Sequence, residues 1–209
     1  MVTKGEKETK ILLSKNEYER LIRIAKRYEN RKMINKNYYF DTPEFLFYKK
    51  GIITFRLREI IKEDKRKYEV IFKTKNQSCT GSIKTSEIDI IELEKELFER
   101  ILNEKNDIIH LLPELVKEKL YNLGFSKINY VGNLITERTK FKPIQNLFYL
   151  ELDKNKYLGV TDWELEYEFL NDNDVKLIDY WLKSHQIFRN EHIFGKYERF
   201  MNKYMENIS

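Results

Sequence analysis

The chain has 209 residues and a formal net charge of +5, with 35% charged and 14% aromatic residues. This length fits one domain, and the aromatic content excludes a disordered chain. One cysteine and three histidines exclude a disulfide framework and a Cys/His zinc cage. No apolar run approaches the roughly 18 residues of a membrane span, and the N-terminus lacks a signal-peptide pattern. We therefore expect one cytoplasmic domain over residues 1–209.

The first half of the chain predicts five strands and two helices. Ser14 and Glu17 form a capping box, and apolar residues at helical spacing behind it predict a helix over 15–29. Pro43 and Gly51 mark the beginning and the end of a short helical turn. Segments rich in β-branched and aromatic residues predict strands over 5–13, 34–41, 52–60, 67–75 and 80–90.

The second half adds three strands and four helices. Helices are predicted over 91–104, 113–122, 173–186 and 191–205, and strands over 127–142, 146–154 and 157–169. Eight strands with the helices at the start, middle and end of the chain predict an α+β fold with a large antiparallel sheet. Eight strands can also close into a β-barrel with flanking helices.

Like charges at positions i and i+2 recur on nearly every predicted strand. Such residues share one face of a strand because side chains alternate between the two faces. The acidic sets are Glu6 and Glu8, Glu87 and Asp89, Glu151 and Asp153, and Glu164, Glu166 and Glu168. The basic pairs are Arg56 and Arg58, Lys73 and Lys75, and Arg138 and Lys140. The opposite face is apolar, which predicts a sheet with one charged and one apolar face.

Two arrangements fit this pattern. A flat sheet would expose its charged face to water, with ion pairs across the strands. A closed sheet would turn the charged face inward and leave the apolar face for the helices to cover. Acidic pairs brought together can bind a hard cation, and basic pairs brought together can bind a polyphosphate. Closure would place both kinds of site in one lumen.

Residues 6–10, with the sequence EKETK, match the ExExK signature of the CYTH, or triphosphate tunnel metalloenzyme, superfamily. Further segments resemble this family in the same order along the chain. They are NYYFDTP at 37–43, FRLRE at 55–59, FKTK at 72–75, TERTKF at 136–141, YLG at 157–159 after Asp153, ELE at 164–166 and GKYERF at 195–200. The resemblance runs from about residue 4 to residue 200. Within this family, the sequence resembles the stand-alone CYTH proteins of low-GC Gram-positive bacteria.

The resemblance implies an eight-stranded antiparallel tunnel that binds a triphosphate together with Mg²⁺ or Mn²⁺. The phosphate ligands it implies are Lys10, Arg56, Arg58, Lys73, Lys75, Arg138 and Lys196, and Lys140 joins them by its position on the charged face. The metal ligands it implies are Glu6, Glu8, Glu164 and Glu166. Glu87 and Asp153 are the catalytic candidates, near a second metal or the attacking water.

The function that the resemblance implies is metal-dependent hydrolysis of inorganic triphosphate or of a small organic triphosphate. A class IV-type adenylate cyclase is an alternative, because the same residues would bind the phosphates of ATP. A non-catalytic sensor of polyphosphate or nucleotides is another. The expected partner is a triphosphate-containing small molecule, with no membrane and no nucleic acid. The sequence leaves the physiological substrate and the oligomeric state open.

Overall fold

A ring of eight antiparallel strands is the central feature of the computed structural model, which describes residues 2–51, 53–75, 84–144, 149–188 and 194–208. For residues 2–7, 75 and 84–86 only the backbone is described. The strands are β1 (Val2–Leu13), β2 (Asn30–Asp41), β3 (Ile53–Lys62), β4 (Lys65–Lys75), β5 (Lys84–Leu93), β6 (Asn129–Phe141), β7 (Leu150–Tyr157) and β8 (Val160–Glu168).

The order of strands around the ring is β1-β5-β4-β3-β2-β6-β7-β8, and β1 closes it. Residues 2–8 of β1 pair with β5, whereas residues 8–13 pair with β8. The two halves of one long strand thus join the two edges of the sheet. The predicted α+β fold with an eight-stranded antiparallel barrel is confirmed, and the flat sheet is excluded.

In the described part of the chain, six α-helices accompany the barrel. They are α1 (Lys15–Ala25), α2 (Leu46–Lys50), α3 (Lys95–Glu104), α4 (Glu114–Asn122), α5 (Asp172–Ser184) and α6 (Lys196–Ile208), with a 3₁₀ turn at Ile108–Leu111. The capping box at the start of α1 is present: the Glu17 amide donates to Ser14 Oγ, and the Ser14 amide donates to Glu17 Oε2. The helix predicted over 91–104 begins later, because pairing of Leu93 with Tyr68 keeps the backbone in the sheet.

Two apolar layers cover the outside of the barrel. On one side α2, α3, α4 and the 3₁₀ turn pack against β2, β3 and β4, around buried residues such as Phe55, Phe72 and Ile101. On the other side α1 and α5 pack against β1, β6, β7 and β8, around residues such as Leu152 and Leu165. The apolar faces of the strands therefore point outward to the helices. Among the described residues, no helix has both the length and the apolar composition needed to cross a bilayer.

The last helix, α6, occupies the barrel interior at one end. Its residues Tyr197 and Phe200 pack against Tyr39, which shares the inward face of the sheet with its cross-strand neighbour Arg56. The Tyr197 hydroxyl donates to Asp41 Oδ2 at 2.6 Å, which ties α6 to the end of β2. This contact places Lys196, the first residue of the helix, inside the lumen.

The close approach of α6 to β6 generates a prediction about stability. A Cβ added at Gly132 would lie 2.7 Å from Cζ of the Phe200 ring. Gly132→Ala should therefore lower the free energy of unfolding by about 1–3 kcal/mol through overpacking. Urea unfolding of wild type and variant measures this. In a Phe200→Leu background the same change should cost less, and an equal cost in both backgrounds would contradict the contact.

Candidate active site

The lumen contains a cavity of about 240 Å³ whose lining is dominated by charged side chains. Its basic residues are Lys10, Arg56, Arg58, Lys73, Arg138, Lys140 and Lys196. Its acidic residues include Glu8, Glu151, Glu166 and Glu168. The charged face of the sheet is thus turned inward, as the closed arrangement requires.

The strand register explains why these residues meet. Directly paired residues on neighbouring strands share a face of the sheet. Arg58 lies opposite Asn37 on one side and Glu69 on the other, and Lys73 lies opposite Thr54. Around the rest of the ring Arg138 pairs with Asp153, Asp153 with Glu164, and Glu166 with both Glu151 and Lys10. Alternation within each strand then brings the i and i+2 partners into the same lumen.

One side of the lumen, formed by β2 and β3 and bordered by β6, is rich in positive charge. Arg58 Nε donates to Asn37 Oδ1 at 2.9 Å, which fixes the plane of the guanidinium. Burial and the positive charges of Arg56 and Arg138 lower the pKa of Arg58 to about 9. Within the described part of the chain, the buried Arg56 Nε has no hydrogen-bond partner. We call Arg56, Arg58 and Arg138 the arginine cluster; it is suited to bind an anion.

The other side of the lumen holds the carboxylate cluster: Asp153, Glu164 and Glu166. Their oxygen atoms lie within 4.8 Å of one another, and all three residues are buried. Lys196 Nζ lies 2.9 Å from Asp153 Oδ2, 2.9 Å from Glu166 Oε2 and in contact with Glu164. Arg138 donates to Asp153 through Nε at 2.7 Å and through Nη2 at 2.6 Å. Positive side chains therefore hold the cluster together.

These contacts favour the ionised form of Asp153 and of Glu151. Burial by itself would raise the pKa of Asp153, but Arg138 and Lys196 outweigh it and hold that pKa well below its usual value. Burial likewise opposes ionisation of Glu151, whose pKa is nevertheless lowered by Arg138 and Lys140. Carboxylate oxygens in this charge state are the ligands that hard divalent cations prefer. The carboxylate cluster thus fits a divalent metal.

Glu8 has different neighbours from the carboxylate cluster. It accepts from Lys73 Nζ at 2.8 Å, and Lys10 Nζ lies 3.1 Å from it while also contacting Glu166. Lys10 and Lys73 hold the pKa of Glu8 well below its usual value, against the effect of burial. Lys10 therefore bridges the predicted ligand Glu8 to the carboxylate cluster. The predicted phosphate ligand Lys140 contacts Glu151 at the cavity wall.

The placement expected for Glu87 and Asp89 is wrong, because β5 presents its other face to the lumen. Lys73 pairs with Ile88, and Phe72 pairs with Asp89. Ile88 therefore shares the inward face with Lys73, and it lines the cavity together with Ile90. Glu87 is exposed, and the buried Asp89 contacts Lys119 of α4 outside the barrel. Glu87 is thus not part of the site.

Two other predicted residues are described only by their backbone. Glu6 and Lys75 both pair with Ser86, one from each side of β5. Their side chains lie outside the described part of the chain.

The structure also adds residues that the sequence reasoning did not select. Asn35, Asn37, Thr54 and Thr136 line the cavity as uncharged polar groups. Arg199 donates to Glu164 Oε2 at 2.7 Å and to Asp162, and so supports the carboxylate cluster from α6. Thr54 and Thr136 stand two residues before Arg56 and Arg138, and this shared strand face was an available signal. Arg199 lies one helical turn after Lys196, which was another.

The fold and the lumen thus define a closed antiparallel β-barrel protein whose internal cavity is lined by cations and carboxylates. The CYTH domain model matches residues 4–191, and the chain belongs to this family.

Solved structures agree with this assignment. A candidate adenylate cyclase from Bacillus halodurans has 25% sequence identity and a TM-score of 0.76, with 96% of this chain and 99% of that chain covered. A candidate adenylyl cyclase from Hippeastrum, described as having a dominant triphosphatase activity, has 19% identity and a TM-score of 0.80 over 94% and 95% of the two chains. The PH1819 protein from Pyrococcus horikoshii has 16% identity and a TM-score of 0.60 over 96% and 98%. A search of curated proteins found no match to the chain.

The lowered pKa of Arg58 generates a prediction about stability without ligand. Because the folded-state pKa lies below the unfolded one, the charged guanidinium opposes folding at neutral pH. Arg58→Met should therefore raise the melting temperature of the ligand-free protein. It should also reduce the stabilisation produced by tripolyphosphate, which supplies the missing negative charge.

Thermal unfolding with and without tripolyphosphate, in the presence of a chelator, measures both effects. Arg66→Met is the matched control, since Arg66 is exposed and pairs with Glu59 on the outer face. A lower melting temperature for ligand-free Arg58→Met, or an undiminished response to tripolyphosphate, would contradict the role of the arginine cluster.

Proposed function

We propose that this protein is a divalent-metal-dependent triphosphatase that acts as one CYTH-like domain on inorganic triphosphate or a small organic triphosphate. The observation that carries the proposal is the meeting of the arginine cluster and the carboxylate cluster in one small lumen. Arg138 links the two clusters. Its positive charge contributes to the lowered pKa of Arg58, and its guanidinium donates to Asp153 and Glu166. Such a site can hold a polyanion and a cation side by side.

Binding of the phosphates would fall to the basic residues that line the cavity. Hydrolysis of a phosphoanhydride depends mainly on positioning and on neutralising charge, which fixed cations provide. Of the basic residues in the cavity, Arg56 and Arg58 have the fewest neighbouring carboxylates. We therefore assign them to the terminal and middle phosphoryl groups. We assign Lys10, Lys73, Lys75, Arg138, Lys140 and Lys196 to the remaining oxygens.

The metal would be Mg²⁺ or Mn²⁺, held by Asp153, Glu164 and Glu166, with Glu6 and Glu8 as further ligands. When bound, it would stabilise charge on the phosphate oxygens and favour ionisation of the attacking water. Asp153 contributes as a ligand rather than as a proton acceptor in this proposal, because Arg138 and Lys196 hold its pKa low. Glu87 has no catalytic role in this proposal, since it faces away from the cavity.

The reaction breaks one phosphoanhydride bond. The oxygen of water forms a bond to the terminal phosphorus, the bond from that phosphorus to the bridging oxygen breaks, and a water proton passes to solvent. For inorganic triphosphate the products are pyrophosphate and orthophosphate. The arginine cluster would stabilise the negative charge that moves onto the bridging oxygen.

An adenylate cyclase is the second candidate function, because the chain is similar in structure to a candidate adenylate cyclase from Bacillus halodurans. The cavity itself favours a smaller substrate. Its volume of about 240 Å³ is below the ~300–1,000 Å³ of typical cofactor and nucleotide-sized pockets. Among the described lining residues, Tyr197 is the single aromatic ring, and it packs against Tyr39 rather than presenting a stacking surface.

The products separate these functions. The purified protein would be incubated with tripolyphosphate, thiamine triphosphate or ATP, with Mg²⁺, Mn²⁺ or a chelator. Metal-stimulated release of orthophosphate from tripolyphosphate supports the triphosphatase. Cyclic AMP with pyrophosphate from ATP would instead establish the cyclase. Tight binding of tripolyphosphate with no turnover of any substrate would establish the sensor.

The carboxylate cluster generates a prediction about catalysis. Glu166→Gln keeps the size of the side chain but removes a charged ligand, so turnover of tripolyphosphate should fall by at least ~100-fold. Glu137→Gln is the control, because Glu137 lies on the outer face of β6 and pairs with Lys154 and Lys156. Steady-state phosphate release at saturating metal measures both. Wild-type turnover in Glu166→Gln would exclude it as a ligand.

A further inference from the structure

Lys196 is placed where a divalent cation would be expected. Its ammonium group contacts all three members of the carboxylate cluster, with two of the contacts at 2.9 Å. Among the described cations it alone does so: Arg138 reaches Asp153 and Glu166, Arg199 reaches Glu164, and Lys10 reaches Glu166. The side chain thus occupies the common centre of the three carboxylates.

We propose that Lys196 is a built-in substitute for the metal, which excludes a divalent cation until a triphosphate draws the ammonium group away. This inference rests on the proposed function, because it concerns the order in which the two ligands enter that site. Metal and Lys196 compete for the same three carboxylates. Triphosphate and metal therefore bind with positive coupling.

The charges around the cluster support exclusion of free metal. Lys10, Arg138 and Arg199 each also contact a carboxylate outside the cluster, whereas the contacts of Lys196 among the described residues are with the three cluster members. A divalent ion added at the centre of the cluster would meet the positive charge of Lys196 at short range, where effective screening is weak. Moving this ammonium group away from the centre opens the position and removes that repulsion.

The structure also gives Lys196 a way to move. The body of α6 is anchored by Tyr197, which donates to Asp41, and by Arg199, which donates to Asp162. Lys196 is the first residue of the helix, and its side chain lines the cavity that we assign to the phosphates. Its flexible stem can turn toward a phosphate oxygen without displacement of the helix. A bound triphosphate thus offers the ammonium group an alternative anionic partner.

Because coupling between metal binding and triphosphate binding is reciprocal, binding measurements can test the proposal without turnover. If Lys196 opposes metal in the free protein, its removal should strengthen metal binding and weaken triphosphate binding. Lys196→Met keeps most of the apolar stem and removes the charge. Titration of Mn²⁺ alone, followed by electron paramagnetic resonance, should show affinity at least about tenfold higher than in wild type. Calorimetry with tripolyphosphate and a chelator should show weaker binding.

Two controls define where the metal binds. Lys203→Met removes a lysine of α6 that pairs with Glu206 at the surface, and it should leave Mn²⁺ affinity unchanged. Lys196→Met combined with Glu164→Gln should lose the gain, since a ligand of the carboxylate cluster is then missing. Circular dichroism checks that each variant is folded, and Lys196→Gln replaces Lys196→Met if the latter does not fold.

The Mn²⁺ titrations decide whether Lys196 and the metal compete for the carboxylate cluster. Unchanged or weaker Mn²⁺ binding in the folded Lys196 variant overturns it, as does a gain that persists in the double variant. Failure of the proposed function would look different: no triphosphate would be hydrolysed by wild type, whatever the Mn²⁺ titrations show.

Discussion

Mutual neutralisation of buried charges inside the barrel is the constraint on which the rest of this structure depends. Ionised side chains removed from water are costly unless opposite charges accompany them. Asp153 is buried beneath Arg138 and Lys196, and Glu8 lies between Lys10 and Lys73. Because the charges face inward, the apolar faces of the strands must be covered outside, which is the task of the flanking helices.

The neutralisation is uneven, and this unevenness is what makes the lumen a site rather than a core. Carboxylates concentrate on β7 and β8, whereas Arg56 and Arg58 on β3 have few negative neighbours. An anion would complete the basic side, and a metal could replace positive side chains on the acidic side. Ligands of opposite charge would therefore assist each other's binding. Lys196 is involved in both events, because its ammonium group contacts the carboxylate cluster and its side chain lines the cavity.

Much of the fold and most of the lumen could be predicted from alternation of side chains. Arg58, Lys73, Arg138 and Glu166 line one cavity, as their i and i+2 patterns indicated. The prediction for β5 was wrong because the inward face of this strand is apolar at Ile88 and Ile90, while its outer face carries Asp89. Alternation shows which residues share a face but not which way the face turns; pairing of Lys73 with Ile88 decides that.

The sequence by itself determined the number of strands, the inward charge pattern on most of them and the family resemblance, because these depend on local periodicity and short motifs. Only the tertiary structure decided that Asp153, Glu164 and Glu166 meet within 4.8 Å and that Lys196 lies among them. Asp153 and Lys196 come from segments 43 residues apart in the chain. Their proximity depends on how the barrel closes and where α6 enters it, which no local pattern encodes.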